Sequence, residues 1–144
     1  MKALVVDDDL TTRILLREIL SGYAEVDTCV DGVEGVQAYR TALDSDEPYD
    51  LICMDVLMPR MGGIEALKLI RREEDLHPGL LPRHTKIIVT TGSDDRGTIN
   101  QAFEGLCDAY VIKPIDTEEF NNVVGCLFQI EPGIIGDVFG LESR

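Results

Sequence analysis

The sequence predicts an α/β fold in which a parallel five-stranded sheet is covered by helices on both faces. Five short apolar runs alternate along the chain with segments of helical periodicity. This alternation is typical of right-handed βαβ crossovers, which place the strands in parallel. The third run, LICMD at residues 51–55, is apolar up to a single aspartate. Such a run suits a central strand that is buried on both faces.

The first two strand and helix pairs are predicted from apolar runs and capping residues. The strands cover residues 3–6 and 25–30. Asp9, directly before LTTRILL, has the position of a helix N-cap. Asp31 and Glu34 have the spacing of a capping box. We therefore expect the first helix to begin after Asp9 and the second after Asp31.

The third strand is predicted at residues 51–54, and a tight turn with the sequence MPRMGG follows it. After the glycine pair, Ile64, Leu67 and Ile70 recur at helical spacing. The third helix therefore begins at the end of the turn, close to the strand.

The fourth strand is predicted at residues 86–89, and the segments on either side of it are unusual. The connector EEDLHPGLLPRH, residues 73–84, is long for a helix-to-strand loop and contains two prolines. It is interpreted as a surface insertion, with a partner-binding surface as the alternative. The fourth helical segment, residues 93–105, contains glycine, threonine and asparagine, so we expect low intrinsic helix stability there.

The fifth strand is predicted at residues 108–112, and the fifth helical segment follows a second capping box formed by Asp116 and Glu119. The domain is expected to span residues 1–130. Residues 131–144 form a tail that is too short for a second domain and is expected to pack back on the sheet layer, with docking elsewhere as the alternative. The sequence predicts no separate effector domain.

Composition narrows the function classes. A chain of 144 residues with 44% hydrophobic content can bury one ordinary core. No run suits a signal peptide or a membrane span, so a cytoplasmic protein without membrane insertion is expected. The net charge of −14 opposes direct nucleic-acid binding and favours a basic partner or a divalent cation. The four cysteines are interpreted as reduced core residues because they show no zinc-site spacing.

Polar residues follow the apolar runs at the carboxyl ends of four predicted strands. They are Asp7 and Asp8 after the first strand, Asp55 after the third, Thr90 after the fourth and Lys113 after the fifth. In a strand order of 2-1-3-4-5, the first and third strands flank a crevice at this edge of the sheet. We therefore expect all five side chains to gather at one site.

Three converging carboxylates repel one another unless their pKa values rise or a cation binds between them. Hard oxygen ligands of this kind suit Mg²⁺. Lys113 and the Thr90 hydroxyl would add a positive charge and a hydrogen-bond donor for an anionic oxygen. The set is therefore suited to phosphoryl transfer, with Asp55 as the most central nucleophile. Asp9 is left out of the metal site because it is predicted to cap a helix.

Four motifs make the sequence resemble the receiver domain of two-component response regulators. They are LVVDDD, ICMDVLMPRMGG, IIVTTG and YVIKP, and they stand in the family's order and spacing across roughly residues 1–130. The resemblance implies a flavodoxin-like (βα)5 fold, a doubly wound sheet with strand order 2-1-3-4-5. Within the family, the chain resembles the stand-alone receivers of the chemotaxis-regulator type.

The resemblance implies a phosphorylation and metal site. Asp55 matches the aspartate that accepts the phosphoryl group, and Asp7 and Asp8 match the acidic pair that holds Mg²⁺. Asp8 would be a direct ligand, and the backbone carbonyl of Leu57 would complete the protein ligands together with Asp55. Mn²⁺ is the alternative ion.

The resemblance also implies a switch. Thr90 matches the hydroxyl that turns toward the phosphoryl group, and Lys113 matches the lysine that contacts it. Pro114 matches the proline that follows a cis peptide bond after Lys113. Tyr110 matches the aromatic switch residue, although a core tyrosine with a solvated hydroxyl is the alternative interpretation.

The function that the resemblance implies is that of a single-domain response regulator. A histidine kinase or histidine phosphotransfer protein would donate the phosphoryl group, and the chain would catalyse its own phosphorylation and slow dephosphorylation. Output would reach a downstream protein target through the face formed by the last two helical segments and the fifth strand. The chain is expected to be a monomer or a weak dimer. Because Leu57 and Gly92 cannot orient an attacking water with their side chains, we expect a long-lived phosphorylated state.

Three other functions fit parts of the pattern. A pseudo-receiver would serve as a docking module without accepting phosphate. A phosphatase of the haloacid-dehalogenase type needs a second aspartate at the position of Leu57. A flavin- or nucleotide-binding protein needs a phosphate-binding loop after the first strand, where this chain is acidic instead.

Overall fold

The computed structural model describes residues 1–81, 83–92 and 105–129. Five parallel strands form one sheet in the order β2-β1-β3-β4-β5. The strands are β1 (Lys2–Val6), β2 (Glu25–Cys29), β3 (Leu51–Asp55), β4 (Lys86–Thr91) and β5 (Ala109–Ile112), and the helices of the described residues are α1 (Leu10–Ser21), α2 (Gly32–Asp44), α3 (Gly63–Leu76) and α4 (Thr117–Leu127). The predicted α/β fold and its strand order are confirmed.

The central strands alternate their side chains between two apolar layers. α2 and α3 cover one face and α1 and α4 cover the other, with β3 buried along its whole length. Leu4 and Val6 of β1 face the first layer, and Ala3 and Val5 face the second. This period of two is what a strand between two covered faces requires.

Three helices begin at the carboxyl edge of the sheet on an aspartate N-cap, as their spacing predicts. The cap bonds are Thr12 N to Asp9 Oδ2 at 3.0 Å, Glu34 N to Asp31 Oδ1 at 2.9 Å and Glu119 N to Asp116 Oδ1 at 2.8 Å. α3 instead begins at Gly63, after the glycine pair. The helix starts therefore lie beside the strand ends that carry the candidate site residues.

Several element bounds differ from the prediction. β4 continues two residues beyond the apolar run because the ladder pairs Thr90 with Asp55 on one side and Thr91 with Ile112 on the other. Thr90 is therefore inside the strand rather than after it.

The interpretation of the four cysteines as core residues is wrong for Cys126, which is exposed on α4, whereas Cys29 and Cys53 are buried.

The predicted connector of residues 73–84 is shorter than expected, because α3 continues to Leu76. Residues 93–104 and the tail of residues 131–144 lie outside the described residues. Among the residues that the structure describes, no helix is long and apolar enough to cross a membrane.

A buried ion network anchors the connector at the amino-terminal edge of the sheet. Arg71 donates to Glu74 Oε1 at 3.0 Å and to Asp108 Oδ2 at 2.9 Å, and Glu74 Oε2 accepts the Thr85 N–H at 3.0 Å. The side chains of Arg71 and Glu74 are only 9% and 1% exposed. Removing one partner of such a network leaves a buried charge without compensation.

We expect Arg71→Ala to lower the free energy of unfolding by about 3 kcal/mol, because Glu74 and Asp108 lose their shared cation. Urea denaturation followed by circular dichroism measures the change. Arg40→Ala is the matched control, because Arg40 pairs with Glu73 at 3.1 Å on the surface and its loss should cost no more than about 0.5 kcal/mol. Equal losses in the two variants would contradict a structural role for the buried network.

Candidate phosphorylation and metal site

Three aspartates converge at the carboxyl edge of the sheet. Asp7 follows β1 and Asp55 ends β3, and the two strands are paired up to Val6 and Met54. Asp7 and Asp55 are buried, whereas Asp8 is exposed. One carboxylate oxygen from each of the three aspartates lies within 4.8 Å of the others. The structure therefore brings together the acidic residues that the sequence places at this edge.

Asp55 is held by the backbone around it. The Val56 N–H donates to the Asp55 carboxylate at 2.9 Å and to the Thr90 carbonyl at 3.2 Å. Gly63 approaches so closely that a β-carbon at this position would collide with the Asp55 carbonyl oxygen. The second glycine of MPRMGG is therefore required for α3 to start directly beside the strand end.

Lys113 supplies the positive charge at the site. Its Nζ lies 2.9 Å from Asp7 Oδ2 and 3.3 Å from Asp55 Oδ1. Its backbone N–H donates to the Thr91 carbonyl at 2.7 Å, and the Lys113–Pro114 peptide bond is cis. Burial lowers the pKa of Lys113, but the contacts with Asp7 and Asp55 outweigh burial and raise it above its ordinary value. The lysine is therefore a stable cation.

One lysine does not balance this cluster. Burial, and then the neighbouring Asp7 carboxylate, raise the pKa of Asp55 to about 6, against the opposing effect of Lys113. Close to neutral pH, the ionised Asp55 is therefore held at a cost in free energy. A further positive charge beside the carboxylates would reduce this cost.

The two predicted switch residues lie at different depths. Thr90 is paired with Asp55 in the sheet and is buried, and its hydroxyl oxygen makes no hydrogen bond within the part of the chain that the structure describes. A buried hydroxyl without a partner is unusual, so a polar ligand at the site would satisfy it. Tyr110 is half-buried and packs against the core layer beneath α2 and α3.

The donor set fits a hard divalent cation. Asp7, Asp8 and Asp55 offer three carboxylate oxygens in one small volume, and Mg²⁺ prefers a few carboxylates together with water and phosphate oxygens. Asp9 is outside this group, since its carboxylate caps α1 and its N–H donates to Asp7 Oδ1 at 2.8 Å. The arrangement combines a nucleophilic carboxylate, a cation site and a lysine within reach of one anionic group.

One contact of the loop that follows Asp55 is not predictable from the sequence. Arg60, in the loop after β3, donates to Asp31 Oδ2 at 2.7 Å. Asp31 was predicted only as a helix cap. It caps α2 and also accepts the hydrogen bond from Arg60. No local spacing indicates the Arg60 contact, because its partner lies 29 residues away on another strand-to-helix loop.

Solved structures of receiver domains share the fold of this chain. The receiver domain of the histidine kinase CKI1 from Arabidopsis thaliana, solved as a mutant, superposes with a TM-score of 0.75 and 28% identity over 89% of both chains. A crystal structure of the CheX-CheY-BeF3-Mg²⁺ complex from Borrelia burgdorferi gives a TM-score of 0.76 at 22% identity, again over 89% of both chains. The second likeness bears on the fold alone.

Sequence relatives assign the family. The chemotaxis protein CheY of Treponema pallidum is 30% identical over 82% of this chain and 76% of its own length. The hybrid signal transduction histidine kinase G of Dictyostelium discoideum is 31% identical over 86% of this chain, which spans only 3% of that protein. The family profile described as the response regulator receiver domain matches residues 3–125. With its fold and four motifs in register, the chain belongs to the family of response regulator receiver domains.

Proposed function

We propose that this chain accepts a phosphoryl group onto Asp55 from a phosphohistidine of a sensor kinase or phosphotransfer protein, in a Mg²⁺-dependent reaction, and that it signals through phosphorylation-dependent protein contact. The observation that carries the proposal is the position of Asp55, whose carboxylate lies within 4.8 Å of the Asp7 and Asp8 carboxylates and 3.3 Å from Lys113 Nζ. An aspartate that only caps a helix or forms a turn does not require two neighbouring carboxylates and a lysine.

The transfer step requires positioning and charge neutralisation more than proton chemistry. A carboxylate oxygen of Asp55 bonds to phosphorus while the bond between phosphorus and the imidazole nitrogen of the donor breaks. Lys113 remains charged beside the phosphoryl oxygens, and the free Thr90 hydroxyl can donate to one of them. The buried β3 fixes the position of the nucleophile.

The metal ligands would be Asp7, Asp8, Asp55 and the backbone carbonyl of Leu57. When bound, Mg²⁺ supplies positive charge that offsets the repulsion among the carboxylates and the incoming phosphoryl oxygens. The buried Asp7 lies against Lys113, whereas Asp8 is exposed and open to an ion from solvent.

Exposed apolar side chains in the segments that follow β1 and β3 support a protein as the phosphoryl donor. Leu10 and Ile14 lie one turn apart on α1 and are 61% and 50% exposed, and Leu57 is 81% exposed. Leu10 follows Asp7 and Asp8 after β1, and Leu57 follows Asp55 at the end of β3. Apolar side chains at the edge of a charged site are typical of a protein-docking surface.

Output would start at Thr90 and Tyr110. A hydroxyl that turns to a new phosphoryl group leaves space beside β4, and Tyr110 on the neighbouring strand is the aromatic residue that can fill it. Tyr110 is only half-buried, so part of its side chain is already at the surface. The phosphoryl group would favour the conformation in which Tyr110 fills this space.

We expect incubation with acetyl phosphate and Mg²⁺ to add one phosphoryl group to the intact protein, measured by mass spectrometry. The adduct should be absent with EDTA and absent in Asp55→Asn, because each removes a group required for the transfer. Asp44→Asn, an exposed aspartate at the end of α2, is the matched control and should be phosphorylated normally.

A missing adduct in the wild-type protein would favour the pseudo-receiver, which binds partners without phosphate. Beryllofluoride then distinguishes an inert site from dependence on a cognate kinase. An intact site binds beryllofluoride with Mg²⁺, whereas a pseudo-receiver does not.

The apolar Leu57 side chain predicts slow loss of the phosphoryl group. It cannot orient a water toward phosphorus, whereas an asparagine at this position can. We expect Leu57→Asn to shorten the half-life of the adduct on the order of 10-fold, measured by the same mass assay. Leu76→Asn changes a leucine that is also exposed but lies at the far end of α3, and it should leave the half-life unchanged. An unchanged half-life in Leu57→Asn would contradict this explanation.

A further inference from the structure

The loop that follows the phosphate-accepting aspartate, residues 56–62, is tied to the protein at both ends. At its start, the Val56 N–H donates to the Thr90 carbonyl at 3.2 Å. Near its end, the Met61 carbonyl accepts the Gly32 N–H from the first turn of α2 at 3.1 Å. The loop therefore spans from β4 on one side of Asp55 to α2 on the other.

Arg60 makes the strongest contact at the second tie. Its Nε donates to Asp31 Oδ2 at 2.7 Å, and the Asp31 side chain is only 4% exposed. The other oxygen of Asp31 caps α2 through the Glu34 N–H at 2.9 Å. One buried carboxylate thus fixes both the start of a helix and the neighbouring loop, and charge-assisted bonds of this kind are stronger than neutral ones.

The backbone at the second tie is also constrained. Arg60 has a φ of 64°, in the left-handed region that residues other than glycine seldom adopt. A β-carbon at Gly32 would lie 2.6 Å from the Met61 carbonyl oxygen, so the two segments touch with no space for a side chain. The Arg60 conformation is therefore maintained by its contacts with α2.

We propose that Arg60 is a positioning residue for the metal site, in that its ion pair with Asp31 holds the Leu57 carbonyl at the acidic cluster. The inference rests on the proposed function, where this carbonyl is a metal ligand. The Leu57 side chain is 81% exposed, so its own packing does little to fix the loop. Leu57 lies between the two ties, and the ion pair of Arg60 with Asp31 is formed beside the second of them.

Electrostatics alone predicts the opposite effect of removing Arg60. The chain carries a net charge of −14, and loss of a cation would make it more negative and strengthen its attraction for Mg²⁺. A positioning role predicts weaker binding, because the loop would no longer present its carbonyl in one place. The sign of the change in affinity therefore separates the two explanations.

The test is a Mg²⁺ titration of the ¹⁵N-labelled protein followed by NMR. We expect roughly 10-fold weaker binding in Arg60→Gln, as is typical when a group that orients a metal ligand is lost. Arg60→Lys should recover part of the affinity. Arg40→Gln removes an equal charge from α2, where Arg40 pairs with Glu73, and should bind Mg²⁺ at least as tightly as the wild type. The Met58 amide, bonded to the Leu57 carbonyl carbon, should shift less at saturation in Arg60→Gln.

Unchanged or tighter binding in Arg60→Gln would overturn the inference while leaving the proposed function intact. Absence of Mg²⁺ binding in the wild type would instead contradict the proposed function and the positioning role with it. Asp31→Asn removes the ion pair from its other side and retains a good N-cap. The double variant Asp31→Asn with Arg60→Gln should bind no more weakly than the weaker single variant, whereas additive losses would contradict the shared contact.

Discussion

The main physical constraint on the structure is the repulsion among three carboxylates that the fold brings together at one edge of the sheet. Asp7 and Asp55 are buried there, Asp8 is beside them, and Lys113 is the cation that contacts two of the three. Because the pKa of Asp55 in the folded protein is raised from 3.8 to about 6, its ionisation opposes folding. This destabilisation grows as the pH rises from about 4 to about 6 and persists at neutral pH. Because the ionised carboxylates repel one another, binding of a cation stabilises the folded protein. The bound cation would also offset the negative charge of a phosphoryl group at the site.

The rest of the fold holds these charges in place. β3 is buried on both faces, so Asp55 cannot move away from its neighbours. Gly63 allows α3 to start against the strand end, and the tie between Arg60 and Asp31 connects the loop after β3 to α2. The buried network around Arg71 stabilises the opposite edge, where α3 leads into β4.

Much of this arrangement could be predicted from the sequence, because it follows from local patterns. The apolar runs locate the strands, the aspartate caps locate three helix starts, and a parallel sheet then places Asp55 beside Asp7 without knowledge of distances. The four motifs indicate the family because each of them contains the end of a strand together with the polar site residues at that end.

The parts that could not be predicted depend on contacts between distant segments. The extension of β4 to Thr91 comes from pairing with both neighbouring strands rather than from hydrophobicity. The Arg60 contact joins two loops, and the Arg71 network joins α3 to the segments before β4 and β5. The exposure of Cys126 depends on which side of α4 faces the sheet. A cysteine within an apolar segment does not reveal this orientation.

The central claim is that an unbalanced carboxylate cluster surrounds Asp55 and that Mg²⁺ relieves it. The most direct measurement is a ¹³C NMR titration of the Asp55 carboxyl group, first without metal and then at saturating Mg²⁺. We predict a pKa of about 6 without metal, and a value below the ordinary 3.8 once the ion binds. A metal-free pKa near 3.8, or a raised pKa that Mg²⁺ does not change, would contradict the account.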